Sequence, residues 1–494
     1  GSEMCIRDST ISAPFPYWKR GGAVLIGACL IGLCIFGIRG RTGYNPIKVS
    51  AAYFCQDAFL NQLGVSPTFN LLTSVMDDMR PENKYLHLMD EQEAITKAQA
   101  LLNRPGDANV SPLAVYRHAA KADSVQQRRP NVVLIMMESM SAKFMKHFGQ
   151  SETLTPFLDS LYTRSISFRN FYSAGIHTNH GLYATLYSFP AMMKRNLMKG
   201  SVIPRYSGLP TVLQENGYCN LFFMTHEGQY DNMNAFFRTN GYDEVFSQED
   251  YPADKVVNSF GVQDDFLYDY AIPVLNQRAA TGQPFFATLL SISNHPPYVI
   301  PPFFHPKTSE PEMQIVEYAD WALRQFFEEA RKQPWFDNTI FVLEGDHGKL
   351  VGDAECELPE SYNHIPLMIY SNRIQPEEKT TFGGQVDIQP TILGLLNIDY
   401  LQNNFGVDLL KEERPCMFYT ADNMVVGRND TLLYLYNYET QQELTYDIGN
   451  GKLNAVPMDD SFLPLKEYSF SMLQSAEFLV KHGKTLNSIP FTQQ

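Results

Sequence analysis

The sequence has no excess of basic residues, no Cys-x-x-Cys, no internal repeat and only one long apolar run, and each absence removes a class of protein. Lys and Arg number 39 against 54 Asp and Glu, a formal charge of −15. The basic stripe with which nucleic-acid binders neutralise phosphates is missing, so nucleic acid is not an expected partner. The seven cysteines (5, 29, 34, 55, 219, 356 and 416) lie at wide, irregular spacings. That pattern fits neither a zinc ribbon nor a dense disulfide framework. What is present is apolar surface: 44% of residues are hydrophobic, 13% aromatic and only 19% charged, which argues against disorder. At 494 residues the chain exceeds what one hydrophobic core organises, so a large domain with attachments is expected, about three units in all.

The long apolar run is Gly21 to Ile38, flanked by Lys19 and Arg20 before it and Arg39 and Arg41 after it. As a helix it reaches ~27 Å, close to the hydrocarbon thickness of a bilayer. Tyr17 and Trp18 stand where an interfacial aromatic belt would sit. A buried core helix or the apolar region of a signal peptide would look alike, but no small-x-small cleavage pattern follows, and a transmembrane helix is the preferred reading. Both flanks are basic, so charge assigns no orientation. The chain opens on Gly1, and Gly-Ser-Glu-Met-Cys reads as a cloning scar or a truncated reading frame, with room for further spanning helices upstream.

Residues 1–44 are thus read as tail and anchor, and 45–129 as a mostly helical collar. The collar has an amphipathic stretch at His87 to Leu102 and breakers at Pro105, Gly106 and Pro112. From Pro130 the composition changes. Continuous apolar runs occur at Asn131 to Met137, Asn220 to Met224, Pro284 to Leu290, Thr339 to Leu343 and Ile365 to Tyr370. Unbroken rather than alternating hydrophobicity marks strands covered on both faces. Between them lie helix-length segments at Thr155 to Arg164, Leu209 to Asn216, Asp264 to Gln277 and Glu317 to Gln333. The expectation for 130–408 is an α/β domain, a doubly wound and mainly parallel sheet sandwiched by helices, with its site at the carboxyl ends of the strands. Residues 409–494 read as a small α+β cap, including a hairpin from Thr431 to Asp447.

Polar residues stand where those runs end: Glu138, His226, His295 and the pair Asp346-His347. A lone His in such a place is usually structural, but several strand ends sharing ligand chemistry point to a metal. Carboxylate oxygens with one imidazole suit Mn²⁺ or Mg²⁺, and added histidines move the preference toward Zn²⁺. The loop from Ser173 to Leu182 contains Thr178 at the head of a helix-like stretch. Thr178 reads equally as a nucleophile activated by a base or metal and as a helix N-cap. Glu344 reads as solvated or as a carboxylate behind the ligands. Phe222-Phe223 and Phe285-Phe286 read as core, and Trp321 and Trp335 as packing residues. Lys194, Arg195 and Lys199 read as a solvated charged face or as contacts for anionic lipid head groups.

One series of motifs is more specific. Asn131 to Ser139, Thr155-Pro-Phe-Leu158, Phe168-Arg-Asn-Phe-Tyr172, the Thr178 loop, Leu209-Pro-Thr-Val-Leu213 with Asn216-Gly-Tyr218, Gly241-Tyr-Asp243, Ser293-Asn-His-Pro296, Gly345-Asp-His-Gly348 and Val386 to Thr391 occur in that order. Together they resemble the lipoteichoic acid synthase branch of the sulfatase-like alkaline phosphatase superfamily, over roughly residues 130 to 410. The resemblance implies a phosphotransferase anchored in the cytoplasmic membrane with its catalytic domain outside, periplasmic or at the cell surface. It would take a phosphoglycerol or phosphoethanolamine head group from a phospholipid donor and pass it to a cell-envelope glycan or lipid.

The resemblance also implies roles. Glu138, Thr178, Asp346 and His347 would hold one divalent metal ion, Mn²⁺ first, with Thr178 the nucleophile that becomes phosphorylated. His295 would lie by the substrate phosphate, His226 on the substrate side, and His364 would match a further histidine of the phosphoethanolamine transferases. One departure stands out: glycerol-phosphate polymerising members carry a Trp between the counterparts of His226 and Tyr242, and this sequence has none there. A sulfatase proper would need Cys/Ser-x-Pro-x-Arg, and Thr178-Asn-His-Gly-Leu182 lacks both the Pro and the Arg. Two rival readings are a phosphodiesterase or phosphatase acting through the same residues and an inactive membrane-tethered binding protein that keeps the fold.

Overall fold

The computed structural model describes residues 17–42, 45–55, 57–80, 83–103, 115–122, 129–200 and 203–487. Gly1 to Cys5 and the breakers Pro105, Gly106 and Pro112 lie outside them, as do the side chains of Tyr17, Trp18, Lys19 and Arg20. The chain divides into two compact units, 1–49 and 50–494.

The first unit contains one helix, α1 (Tyr17–Arg39). Its segment Gly21–Arg39 has a mean hydropathy of 2.4 and no buried part, and by length and composition it can cross a membrane.

The second unit begins with α2 (Ala58–Leu63), α3 (Pro67–Asp78) and α4 (Glu91–Leu102), the amphipathic stretch expected near His87. Asp90 caps α4 by accepting from the Glu93 N–H. A short strand β1 (Tyr116–Ala119) follows and pairs antiparallel with the distant β10 (Tyr400–Asn403), so the collar is stitched to the far end of the catalytic region. Buried Arg117 holds that seam by donating to the carbonyls of Asn404 and Gly406.

The centre is an eight-stranded sheet built from β2 (Asn131–Met137), β3 (Ile166–Tyr172), β4 (Cys219–Met224), β5 (Glu244–Phe246), β6 (Phe285–Leu290), β7 (Thr339–Gly345), β8 (Leu367–Tyr370) and β9 (Glu377–Gly384). Their spatial order is β5-β4-β6-β2-β7-β8-β3-β9. All neighbours are parallel except β8, which runs against both β7 and β3. Every residue of β2, β4, β6 and β7 is buried, as continuous apolar runs require.

Alternate residues of β2 face opposite layers. Val133 and Ile135 join the core cluster formed with helices α5 (Pro156–Tyr162), α9 (Asp264–Ala279) and α10 (Pro311–Ala330). On the other side α6 (Thr178–Tyr187), α7 (Leu209–Glu215) and α11 (Ile388–Leu395) pack on one another. Short α8 (Met233–Thr239) precedes edge strand β5. Trp335 and Trp321 do pack: Trp335 is buried against Phe285, and Trp321 lies among Phe303, Phe304 and Tyr318.

The carboxyl-terminal part is the expected α+β cap. A five-stranded antiparallel sheet, β11 (Met417–Thr420), β12 (Met424–Arg428), β13 (Leu432–Asn437), β14 (Gln442–Asp447) and β15 (Asn454–Ala455), runs in sequential order, and α12 (Leu463–Lys481) packs on it and on α4. The hairpin read from Thr431 to Asp447 is its β13–β14 pair.

Candidate active site

Four neighbouring parallel strands, β4, β6, β2 and β7, end at the same edge of the sheet. The residues that follow them are therefore brought together by topology alone, at the place where open α/β sheets bind ligands. Glu138 follows β2, and Asp346 and His347 follow β7, whose register sets Met137 beside Gly345. Their ligand atoms all lie within 4.8 Å of one another, and among the described residues this is the only group of three or more His, Cys, Asp or Glu so arranged.

The two carboxylates are almost completely buried. One oxygen of each is tied to the chain: Asp346 Oδ1 accepts from the Ser139 N–H at 2.8 Å and the His347 N–H at 2.7 Å, and Glu138 Oε1 accepts from Ser139 Oγ at 2.6 Å. Ser139 sits at φ +50, a left-handed conformation that costs a non-glycine residue energy, so the surroundings must impose it. Asn294 holds the turn by donating to the carbonyls of Glu138 and Ser139. Asp346 Oδ2, by contrast, is buried without a hydrogen-bond partner. Burial, then the charge of Asp346, push the Glu138 carboxyl well above its ordinary range.

Thr178 arrives from a different direction. The chain leaves β3 and enters α6 with Thr178 as its first helical residue and His177 as the cap, so the N-cap reading of Thr178 is corrected. Thr178 Oγ1 points at Glu138 Oε2, 3.4 Å away. Close approach of α6 makes this possible: a Cβ on Gly181 would lie 2.3 Å from the Asp346 carbonyl oxygen, so any side chain there would push the helix off the site.

A cavity of about 430 Å³ opens over this group, lined by Glu138, Thr178, His295 and His347 together with Tyr230 and Lys349. His295 is half-buried, which lowers its pKa; its Nδ1 engages the Pro296 carbonyl at 2.6 Å, leaving Nε2 for chemistry. His347 places Nε2 at 3.8 Å from Glu138 and 3.7 Å from Asp346, while its Nδ1 faces the Gly348 carbonyl at 2.7 Å.

Two predicted residues are not in the cavity wall. His226 is buried behind Tyr230, its ring stacked on the tyrosine at 4.5 Å, and burial pushes its pKa down to about 4. His364 lies elsewhere: its Nε2 meets the Arg169 carbonyl at 2.8 Å and its ring stacks on Tyr172, so the placement expected for it at the substrate is not what the structure gives. Glu344 is fully buried, not solvated, and accepts from Thr185 Oγ1 at 2.6 Å.

Three residues in or beside the cavity go beyond those that the sequence singles out. Lys349 directs its Nζ to Asn294 Oδ1 at 2.8 Å and Tyr298 OH at 3.1 Å, and burial brings its pKa down to about 8. It follows Gly345-Asp-His-Gly348 directly, and that adjacency to a strand end was a usable signal. Asp422, 2.6 Å from His177 Nε2, comes from the carboxyl-terminal sheet and had no local signal at all. Asp231 joins Lys199 at 2.9 Å and Asn179 at 3.3 Å on the cavity rim.

The donor set is two carboxylates and one imidazole, with a buried orphan oxygen and, among the described residues, no Lys or Arg within ion-pair distance; it fits a divalent cation. A helix-flanked mixed sheet with a hydroxyl and an acid–imidazole cluster at its carboxyl edge defines the class: the fold is that of the alkaline phosphatase superfamily. A crystal structure of a member of that superfamily from Vibrio parahaemolyticus superposes with a TM-score of 0.72 at 26% identity, over 81% of this chain and 98% of that one. The lipoteichoic acid synthase structure from Listeria monocytogenes superposes with a TM-score of 0.63 at 19% identity, over 79% of this chain and 98% of that one.

Within that class the chain belongs to the sulfatase family, whose family model matches residues 130–398. Among curated proteins, lipoteichoic acid synthase 1 of Bacillus subtilis is 25% identical over 65% of this chain and 53% of its own length. The lipoteichoic acid synthase of Staphylococcus saprophyticus is 24% identical over 67% and 54%. The chain thus spans about half the length of the curated relatives it matches.

Proposed function

We propose that the protein is a membrane-anchored phosphotransferase that moves a phosphoglycerol or phosphoethanolamine head group from a phospholipid to a cell-envelope acceptor, by way of a phosphorylated Thr178. The observation that carries this reading is that Thr178, Glu138, His347, His295 and Lys349 line a single cavity, with buried Asp346 completing the acid–imidazole group behind it. The names of the curated relatives support the same substrate class, and the apolar helix supports the anchor. In this reading the catalytic unit stands outside the cytoplasm, where envelope acceptors are available.

Glu138, Asp346 and His347, with Thr178, would hold one divalent cation, Mn²⁺ ahead of Mg²⁺ or Zn²⁺, which supplies charge neutralisation and a lower hydroxyl pKa when bound. The remaining work falls to the chain. Thr178 releases its proton toward Glu138 Oε2, and its Oγ1 forms a bond to phosphorus as the bond from phosphorus to the diacylglycerol oxygen breaks. His295 delivers a proton from Nε2 to that departing oxygen; the anionic substrate beside it offsets the effect of burial on its pKa. Lys349 offers its ammonium to a phosphate oxygen. In the second half the acceptor hydroxyl gives its proton to His295 and takes the phosphoryl group, while Thr178 leaves phosphorus and recovers its proton from Glu138. Phosphoryl transfer asks mainly for positioning and charge, which this equipment meets.

The test is release of diacylglycerol from defined phosphatidylglycerol and phosphatidylethanolamine, with and without an acceptor alcohol. Thr178→Ala should abolish release without altering the melting temperature, since it deletes a small, partly exposed group. Robust turnover by that variant would remove Thr178 from the mechanism, and release with water as sole acceptor would make the enzyme a phosphodiesterase.

A further inference from the structure

Helix α3 is amphipathic the wrong way round for a helix in water. Leu71, Leu72, Val75, Met76 and Met79, joined by Phe69, fall on one arc of the helix and are between 43% and 77% exposed. Thr73, Ser74 and Asp77 fall on the opposite arc and are the less exposed side. Phe54, just before α2, and Leu60 and Leu63 within it are exposed as well. Among the described residues of the 50–494 unit, nine of the exposed large apolar side chains come from residues 54–79 and seven from all the rest. Clustering of this kind marks a surface meant to be covered.

The polar arc of α3 looks onto a groove of about 280 Å³ shared with Lys194, Arg195 and Lys199 and extended by Arg80. Arg195 is committed to Glu477, Lys199 to Asp231 and Arg80 to Asp77, whereas Lys194 meets an acid only at 3.9 Å and is half-exposed. The geometry points to one occupant: we infer that α2 and α3 lie in the interface of an anionic phospholipid bilayer, apolar arc among the acyl chains and basic groove over the head groups. Three features select a bilayer. The patch follows α1 closely in the chain: Phe54 is fifteen residues past Arg39, ~50 Å even if fully extended. The groove gathers four basic residues against one acid, Asp77, on a chain whose net charge is −15, a local excess that matches anionic head groups. The strip along α3 is ~18 Å long and one helix wide, well short of the roughly 800 Å² per partner that a stable protein dimer buries. The inference goes beyond the transfer reaction and needs none of its chemistry.

The test uses the full chain in vesicles of phosphatidylcholine with phosphatidylglycerol whose acyl chains carry bromine, a contact quencher of indole. Leu72→Trp should add an emission that bromine quenches by about half or more, as an apolar face ~5–10 Å deep requires. Phe303→Trp, equally exposed but outside the patch, should add an emission that bromine leaves alone. Omitting phosphatidylglycerol should reduce the quenching of Leu72→Trp. Equal quenching of the two variants would overturn the inference. So would an emission from Leu72→Trp that shifts with protein concentration and ignores bromine, since a second copy would then cover the face. Quenching indifferent to lipid charge would remove the groove from it. Because no outcome depends on turnover, failure here leaves the phosphotransfer proposal standing, and the reverse.

Discussion

Two buried acid clusters lie at the same edge of this molecule and have opposite characters. Asp387, fully buried before α11, has both oxygens occupied by the chain: Arg414 forks onto them, and the N–H groups of Gly384 and Val407 add bonds of 3.0 and 2.8 Å. Arg414 continues to the Phe405 carbonyl and the Tyr468 hydroxyl, so the pair rivets the carboxyl-terminal α12 and its sheet to the catalytic layer. Glu138 and Asp346 face each other with no Lys or Arg among the described residues paired to them, only His347 nearby, and with Asp346 Oδ2 accepting no hydrogen bond. Closed lone pairs build a fold, whereas open ones in a low-dielectric site are tolerable only if something cationic completes them.

The largest effect that sharpens this contrast is expected from Asp346→Asn. It should weaken divalent-metal binding by more than about 100-fold, judged against the 10–100-fold typical of less direct contacts, and leave metal-free stability unchanged or higher because a buried carboxylate without a cation is replaced by a neutral amide. Isothermal titration with Mn²⁺ and calorimetric melting of the same samples check both halves. Arg414→Met should do the reverse. It strands Asp387 and costs about 3–5 kcal/mol of stability, read by denaturant titration, while turnover per folded molecule holds.

The pH response separates the clusters further. Burial and Asp346 hold the Glu138 carboxyl above its ordinary range in the metal-free protein, so the proton must leave when metal binds. Affinity should therefore fall as pH is lowered, by about tenfold per unit for one proton displaced, and recover as pH rises. Metal affinity independent of pH between 5 and 8 would contradict the assignment of Glu138. The smallest effect is expected from Lys349→Met, which removes one charged hydrogen bond to phosphate: about tenfold in kcat/KM, with Lys349→Arg recovering part of it.

The same contrast explains what the sequence made legible. The central strands were visible because burial on both faces leaves only apolar residues, and Glu138, Asp346 and His347 because they stand one or two positions beyond those strands, with His295 and Thr178 five and six positions beyond theirs. Strand β9 was not, because its Glu377–Gly384 sequence is polar and half-exposed at a sheet edge. The β1 to β10 pairing joins residues almost three hundred apart and leaves no local trace. His364 shows the limit for single residues: its position after a loop was readable, but which neighbour its ring would meet was a matter of packing against Tyr172 and Phe148. Asp387 stands in the Val386 to Thr391 motif, but nothing local names Arg414, twenty-seven residues on, as its partner.

Thr178 is the residue proposed to carry the head group between donor and acceptor. The most direct measurement is mass spectrometry of the Thr178 peptide after the metal-loaded enzyme meets defined phospholipids without acceptor. A phosphoglycerol or phosphoethanolamine mass added at Thr178, absent when Asp346→Asn is used, is the predicted result. An unmodified peptide from an enzyme that still releases diacylglycerol would contradict it.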